Sequence, residues 1–163
     1  MIQVKFRRIS PDATVPTKAH ASDSGFDLTA VSEPFVGEDG YLQYHTGIAL
    51  ELPEGYEGQI RPRSSISKYD LVLANGGPGT IDESYRGEII VRFKPVDRFA
   101  QGPFVSGLFP TVSTQNIDKL RVYHKGDRIA QLVIVPVPRV ELIEVENLSE
   151  TARGTGGFGS SGT

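Results

Sequence analysis

Apolar residues recur along this chain at every second position, and no segment sustains the spacing of three and four that an amphipathic helix requires. Ile2, Val4 and Phe6 alternate with Gln3, Lys5 and Arg7, and Leu42, Tyr44, Ile48, Leu50 and Leu52 keep one parity. Ile89, Val91 and Phe93 alternate with Glu88, Arg92 and Lys94, and Val140 and Leu142 open a further run. Successive side chains on a strand point to opposite faces, so each run predicts a strand with one buried face. Eleven prolines and eighteen glycines among 163 residues break these runs at intervals suited to short strands and tight turns. The expected fold class is therefore all-β, a barrel or sandwich of one domain.

One run differs. In Arg128–Val135 neither face is polar, because Ile129, Leu132, Val133, Ile134 and Val135 fall on both parities. Such a strand is covered on both sides, and in a chain this small the second cover points to another subunit. Gln131 sits inside the run and needs a hydrogen-bond partner. Two stretches do not fit a compact sheet. Residues 96–124 are irregular and read as an inserted excursion, and residues 153–163, RGTGGFGSSGT, read alone as a flexible end.

The formal net charge of -3 argues against a nucleic-acid footprint, which needs a basic stripe. No cysteine is present, and His20, His45 and His124 lack ligand spacing, so a metal bound here would be a hard cation held by oxygen. The first residues, MIQVKFRRIS, carry charges where a secretory leader is apolar, and no run is long enough to span a bilayer. The expected compartment is cytoplasmic, or the host cytoplasm for a viral or phage protein, with no membrane partner.

Five polar blocks carry the candidate chemistry: SDSGFDL at 22–28, RPRSSISK at 61–68, ANGGPGTIDESYRGE at 74–88, GDRIAQL at 126–132 and RGTGGFGSSG at 153–162. In the second, Arg63, Ser64 and Ser65 follow a proline, and hydroxyls, backbone N–H groups and a guanidinium converging on one turn suit phosphate oxygens. The two serines would equally serve as caps of a short helical turn. Asp82 in a glycine-rich turn suits orientation of a hydrolytic water, although such an aspartate more often closes an Asx turn. Tyr85 beside a strand reads as a core aromatic, and Asp27 as a surface or turn residue. The last block is no Walker A loop, since no Gly-Lys-Ser/Thr follows its glycines.

Together and in this order, the five blocks resemble the five motifs of the trimeric dUTPase family, from about Ala21 to the C-terminus, with the N-terminal strand and 96–124 outside. The resemblance implies a dUTPase-like β-barrel, a distorted jelly roll, over 1–152, and a flexible arm, 153–163, that closes over the active site of a neighbouring subunit in a homotrimer. It implies hydrolysis of dUTP to dUMP and pyrophosphate with Mg2+, supplying dUMP for thymidylate synthesis. Asp82 would orient the attacking water, and Asp27 would hold the magnesium through water. Arg63, Ser64, Ser65 and Gln131 would meet the phosphates, Tyr85 would pack under the deoxyribose and exclude a 2′-hydroxyl, and Asn75, Thr80 and Ile81 would read uracil. From the arm, Arg153 would pair with the γ-phosphate and Phe158 would stack on the base, with Gly159, Ser160 and Ser161 beside the phosphates. The stretch between Asn75 and Asp82 is one residue longer than in many members. Competing readings are a dCTP deaminase, which shares the barrel, and a regulatory protein that grips a protein partner through 96–124.

Overall fold

The alternating runs fold as strands, and every strand pairing among the described residues is antiparallel. The computed structural model describes residues 1–96 and 120–156. Within them lie β1 (Lys5–Arg8), β2 (Phe26–Thr29), β3 (Phe35–Val36), β4 (Leu42–Glu51), β5 (Tyr56–Pro62), β6 (Leu71–Leu73), β7 (Gly79–Ile81), β8 (Glu88–Pro95) and β9 (Arg128–Pro136). Two short 3-10 turns, Ser64–Lys68 and Ala74–Gly76, supply the helical residues. One sheet runs β1-β4-β8-β6, with β3 also on β4, and the other runs β2-β9-β5-β7.

The parity read from the sequence decides what fills the space between the sheets. Leu42, Tyr44, Ile48, Leu50, Ile89, Val91 and Phe93 project inward from the first sheet and meet Leu28, Ile60, Ile129 and Leu132 of the second. Each such side chain contributes roughly 1.5–3 kcal/mol through removal of apolar surface from water. Tyr44 packs edge-on against Phe93 at 5.6 Å, and its hydroxyl donates to the Tyr123 carbonyl at 3.1 Å. Burial raises the pKa of this phenol, which keeps it a neutral donor. The all-β expectation holds, as two antiparallel sheets around one core.

Several expectations change in detail. All four residues of β1 are exposed rather than half-buried, because β1 lies at a sheet edge and nothing among the described residues covers it. The run at Val140 and Leu142 forms no strand: β9 ends at Pro136, and among the described residues 138–150 pair with no strand and are exposed throughout. In β9, Ile129, Ala130 and Leu132 are buried, whereas Val133, Ile134 and Val135 are only half-buried, so a single chain leaves part of this strand uncovered. The expected excursion at 96–124 is described only at its two ends. Residues 97–119 lie outside the described residues, but their flanks meet at Asp70: the Val96 N–H donates to the Asp70 carbonyl at 2.8 Å, and the Asp70 N–H to the Arg121 carbonyl at 2.9 Å. Tyr123, inside the expected excursion, is a core residue only 1% exposed.

Candidate active site

Antiparallel pairing of β2 with β9 sets Asp27 directly opposite Gln131. The approach is close enough that a Cβ on the neighbouring Gly25 would stand 2.9 Å from the Gln131 Cβ, so glycine is required there. Asp27 is 8% exposed, and a buried carboxylate needs charged or hydrogen-bonding partners. Its Oδ1 accepts from Arg63 Nε at 3.0 Å and from Gln131 Nε2 at 3.3 Å. Its Oδ2 accepts from Arg128 Nη1 at 2.9 Å.

Arg63 reaches this point because β5 pairs with β9 as far as Pro62 opposite Ala130, and the chain then turns. Arg63 is itself the N-cap of the Ser64–Lys68 turn, and no side chain caps that turn, so the serines are not acting as caps. Arg63 Nη1 also donates to the Arg128 carbonyl at 3.3 Å and to Ser65 Oγ at 3.4 Å. Ser64 is exposed. Two guanidinium groups face one carboxylate here, so the cluster stays cationic overall: Asp27 aligns the arginines without cancelling their attraction for an anion. Gln131 finds its required partner in Asp27. Arg128 was not among the candidates drawn from the sequence, and its signal was a lone charge beginning an otherwise apolar strand.

The third block forms a second polar centre. Asn75 lies in the Ala74–Gly76 turn, where Gly76 takes φ +70°, and β7 follows, with Thr80 exposed and Ile81 half-buried against the core. The Tyr85 N–H donates to the Asp82 carbonyl at 3.0 Å and closes a turn. Asp82 is exposed, and among the described residues no hydrogen bond to its carboxylate is present, unlike in an Asx turn. Tyr85 is not in the core. It is 44% exposed, its hydroxyl donates to the Glu88 carbonyl at 3.0 Å, and its ring lies over Gly87. Glu83 Oε2 accepts from the Gly55 N–H at 2.7 Å and Oε1 from Arg139 Nη2 at 2.9 Å. These bonds, the Gly55 N–H foremost, hold the Glu83 pKa below the ordinary glutamate value.

Asp27 and Asp82 stand on opposite margins of one sheet. β2 and β7 are the edge strands of the order β2-β9-β5-β7, and three strand spacings of about 4.8 Å put them roughly 14 Å apart. A cavity of about 610 Å³ lies between the phosphate-type turn and the Asn75 turn, lined by Gln59, Pro62, Ile66, Leu73, Gly77 and Pro78 among others. Its lining includes neither Asp27 nor Asp82.

Among the described residues no three acidic, histidine or cysteine side chains gather into a metal cage. Asp27 Oδ2 accepts a single protein hydrogen bond. One carboxylate with an acceptor direction to spare fits a hydrated Mg2+ held mainly by phosphates and reached through water, and does not fit a cation enclosed by protein. In the arm, Arg153 is exposed and its Nε donates to the Gly156 carbonyl at 2.9 Å. Phe158, Gly159, Ser160 and Ser161 lie outside the described residues.

An all-β scaffold with a cationic, hydroxyl-bearing turn after β5 and an exposed carboxylate after β7 suits a phosphate-directed hydrolase. The chain belongs to the dUTPase family, whose model matches residues 11–99 and 111–162. That match is interrupted only inside the segment 96–124. The chain is 38% identical over 162 residues to the deoxyuridine 5'-triphosphate nucleotidohydrolase of Alkaliphilus metalliredigens, covering 99% of both chains. Among solved structures it resembles a mutant dUTPase of Staphylococcus bacteriophage 80alpha with dUpNHpp, at TM-score 0.70 and 29% identity over 99% of each chain. It also resembles a mutant dUTPase from phage phi11 of S. aureus in which a structural Mg(II) ion is coordinated, at TM-score 0.67 and 27% identity, over 91% of this chain and 99% of that one.

Proposed function

We propose that the chain hydrolyses dUTP to dUMP and pyrophosphate in a site shared between copies of a homotrimer, with Asp82 orienting the water that attacks the α-phosphorus. The observation that carries this reading is the placement of Asp27 and Asp82 at opposite edges of one sheet. A base works only within about 2.6–3.2 Å of the water it orients, so the roughly 14 Å between edge strands keeps Asp82 away from a phosphate held beside Asp27 of the same chain. A neighbouring copy closes that gap when its β7 edge faces the phosphate turn of the first. Exposed apolar residues in the segment after β9, Val140 at 82% and Leu142 at 96%, supply surface for such an assembly.

Arg63, Ser64, Ser65 and Gln131 bind the phosphate oxygens, and Arg128 joins them through its place on Asp27. Asp27 holds the water shell of Mg2+. The ion, when bound, neutralises phosphate charge and fixes the path for in-line attack. An edge strand carries unpaired N–H and C=O groups, and β7 with Asn75, Thr80 and Ile81 reads the polar edge of uracil with them, leaving cytosine with mismatched donors. The Tyr85 ring packs under the deoxyribose and leaves no space for a 2′-hydroxyl. From a neighbouring copy, Arg153 pairs with the γ-phosphate, Phe158 stacks on the base, and Gly159, Ser160 and Ser161 close over the phosphates, which excludes water. The reaction belongs to the cytoplasm, where it lowers dUTP and supplies dUMP for thymidylate synthesis.

The test is a panel of dUTP, dTTP, dCTP and UTP with magnesium, read as released pyrophosphate, on the full chain and on Asp82→Asn. Selective cleavage of dUTP is expected, with turnover of the variant lower by about 10²–10⁴. Ammonia from dCTP would instead establish a deaminase, and full turnover by Asp82→Asn would remove Asp82 from the mechanism.

A further inference from the structure

Glu83 follows Asp82 directly in the turn, yet its side chain leaves that turn and reaches two separate parts of the fold. Oε2 accepts the Gly55 N–H at 2.7 Å, from the residue before β5, where the backbone takes φ +77°. Oε1 accepts Arg139 Nη2 at 2.9 Å, and the same nitrogen donates to Glu54 Oε1 at 2.9 Å. The Gly55 carbonyl in turn accepts the Val137 N–H at 2.8 Å, at the point where the chain leaves β9. Arg86 Nη1 donates to the Glu83 carbonyl at 2.6 Å and stiffens the turn from its other side. No function drawn from the sequence uses these contacts.

We propose that Glu83 is a positioning residue for the hydrolytic step: it fixes the attitude of the Asp82 turn by anchoring it to Gly55 and to the root of the C-terminal arm at Arg139. This rests on the reading of Asp82 as the carboxylate that orients water. Asp82 belongs to a turn at a sheet edge, and among the described residues no hydrogen bond holds its carboxylate, so its direction is set by what holds the turn. β7 holds one end through its pairing with β5. Glu83 holds the other, and it does so at the residue from which the arm departs. An ångström of misplacement at a reacting group costs on the order of 10²-fold in rate, so the loss of one of two anchors is read in kcat. Phosphate binding, which draws on the Asp27 cluster, is left alone, so the loss falls on kcat more than on KM.

The experiment compares Glu83→Ala, Glu83→Gln, Arg139→Ala and the double variant Glu83→Ala/Arg139→Ala with the full chain. It reads kcat and KM for dUTP, Tm, and hydrogen exchange at the Gly55 and Val137 amides, with Asp82→Asn run beside them. Glu83→Ala is expected to lower kcat about tenfold, with KM within about twofold and exchange at both amides faster. Glu83→Gln keeps an acceptor for Gly55 and recovers part of the loss. Arg139→Ala costs less than Glu83→Ala, and the double variant no more than Glu83→Ala alone, because both changes break one linkage. Unchanged kcat in Glu83→Ala, strictly additive losses, or a fall in Tm with kcat and KM moving together overturns the proposal. If Asp82→Asn retains full turnover, the reading of Asp82 has failed instead, while the exchange data still report whether Glu83 ties the turn to the arm.

Discussion

Tyr85 lies over Gly87 so closely that a Cβ added to the glycine would stand 2.6 Å from the ring carbon bearing the hydroxyl. The hydroxyl is fixed as well, on the Glu88 carbonyl at 3.0 Å. The ring is thus held at both ends of a short loop with 44% of the residue exposed, a posture that a core tyrosine does not take. Gly87→Ala must displace the ring, since real Cβ atoms do not tolerate that separation. The expected result is a fall of about tenfold or more in the preference for dUTP over UTP, within the range of about 10–200-fold for discrimination by a small steric group. Pyrophosphate release from the two nucleotides measures it, and an unaltered preference would remove Tyr85 from sugar selection.

Arg128 carries the second prediction. It donates to Asp27 Oδ2 at 2.9 Å, and its carbonyl accepts from Arg63 at 3.3 Å, so its side chain and backbone hold two members of the cluster. Arg128→Ala leaves Asp27 with Arg63 as its only cationic partner. A hydrogen bond to a charged group is worth about 1.5–3 kcal/mol, so KM for dUTP is expected to rise about tenfold or more. Titration of a non-hydrolysable dUTP analogue separates that loss of affinity from a loss of turnover. Unchanged affinity would confine Arg128 to a structural role.

The difference between Arg128 and Gln131 shows what the sequence made legible. Period-two spacing identified β4 and β8, and the parity of their buried residues is the one observed, whereas β9 was visible as an apolar run on both parities and is buried only in its first half. The polar blocks were visible as exceptions to that pattern, and Gln131 stood out as an amide among aliphatic residues. Arg128 did not, because a charge at the start of a strand is ordinary, and only the register that sets β2 and β5 against β9 brings it to Asp27. Glu83 was hidden for the same reason: its partners Gly55 and Arg139 lie far away in the chain. β1 and the run at Val140 were recognised as apolar alternations, yet neither is half-buried. Alternation reports that a face will be covered, and does not say by which chain.

Acid provides a third test. The Gly55 N–H and Arg139 hold the folded-state pKa of Glu83 below its ordinary value of 4.5. The folded chain therefore prefers the ionised form, and the resulting stabilisation is complete above that ordinary value and is lost as pH falls through the lowered one. Protection of the Gly55 and Val137 amides is expected to hold from neutral pH down to about 4.5 and to fall only below it. In Glu83→Gln the same protection should not vary with pH over that interval, once intrinsic exchange is normalised. A loss of protection near neutral pH in the unmodified chain would show that another group controls the linkage.

The chain beyond β9 can be divided by two truncations, because the stretch 137–152 and the arm 153–163 carry different side chains. Val140, Leu142, Ile143, Val145 and Leu148 are between 54% and 96% exposed in the single chain, and covering a side chain of this kind is worth about 1.5–3 kcal/mol. That surface favours contact with another copy far more than it favours water. Residues 153–163 hold glycines, serines, Arg153 and Phe158 and little to bury, so their removal is expected to leave the sedimenting species a trimer and to abolish most dUTP turnover. Removal of residues 137–163 takes the apolar stretch and Arg139 as well, and is expected to shift sedimentation toward a monomer. The compact body should survive, since its buried core ends at Leu132. A trimer formed by the shorter chain would place subunit contact on the half-buried Val133, Ile134 and Val135 of β9 alone. Full activity after loss of 153–163 would show that the glycine-rich end takes no part in the site.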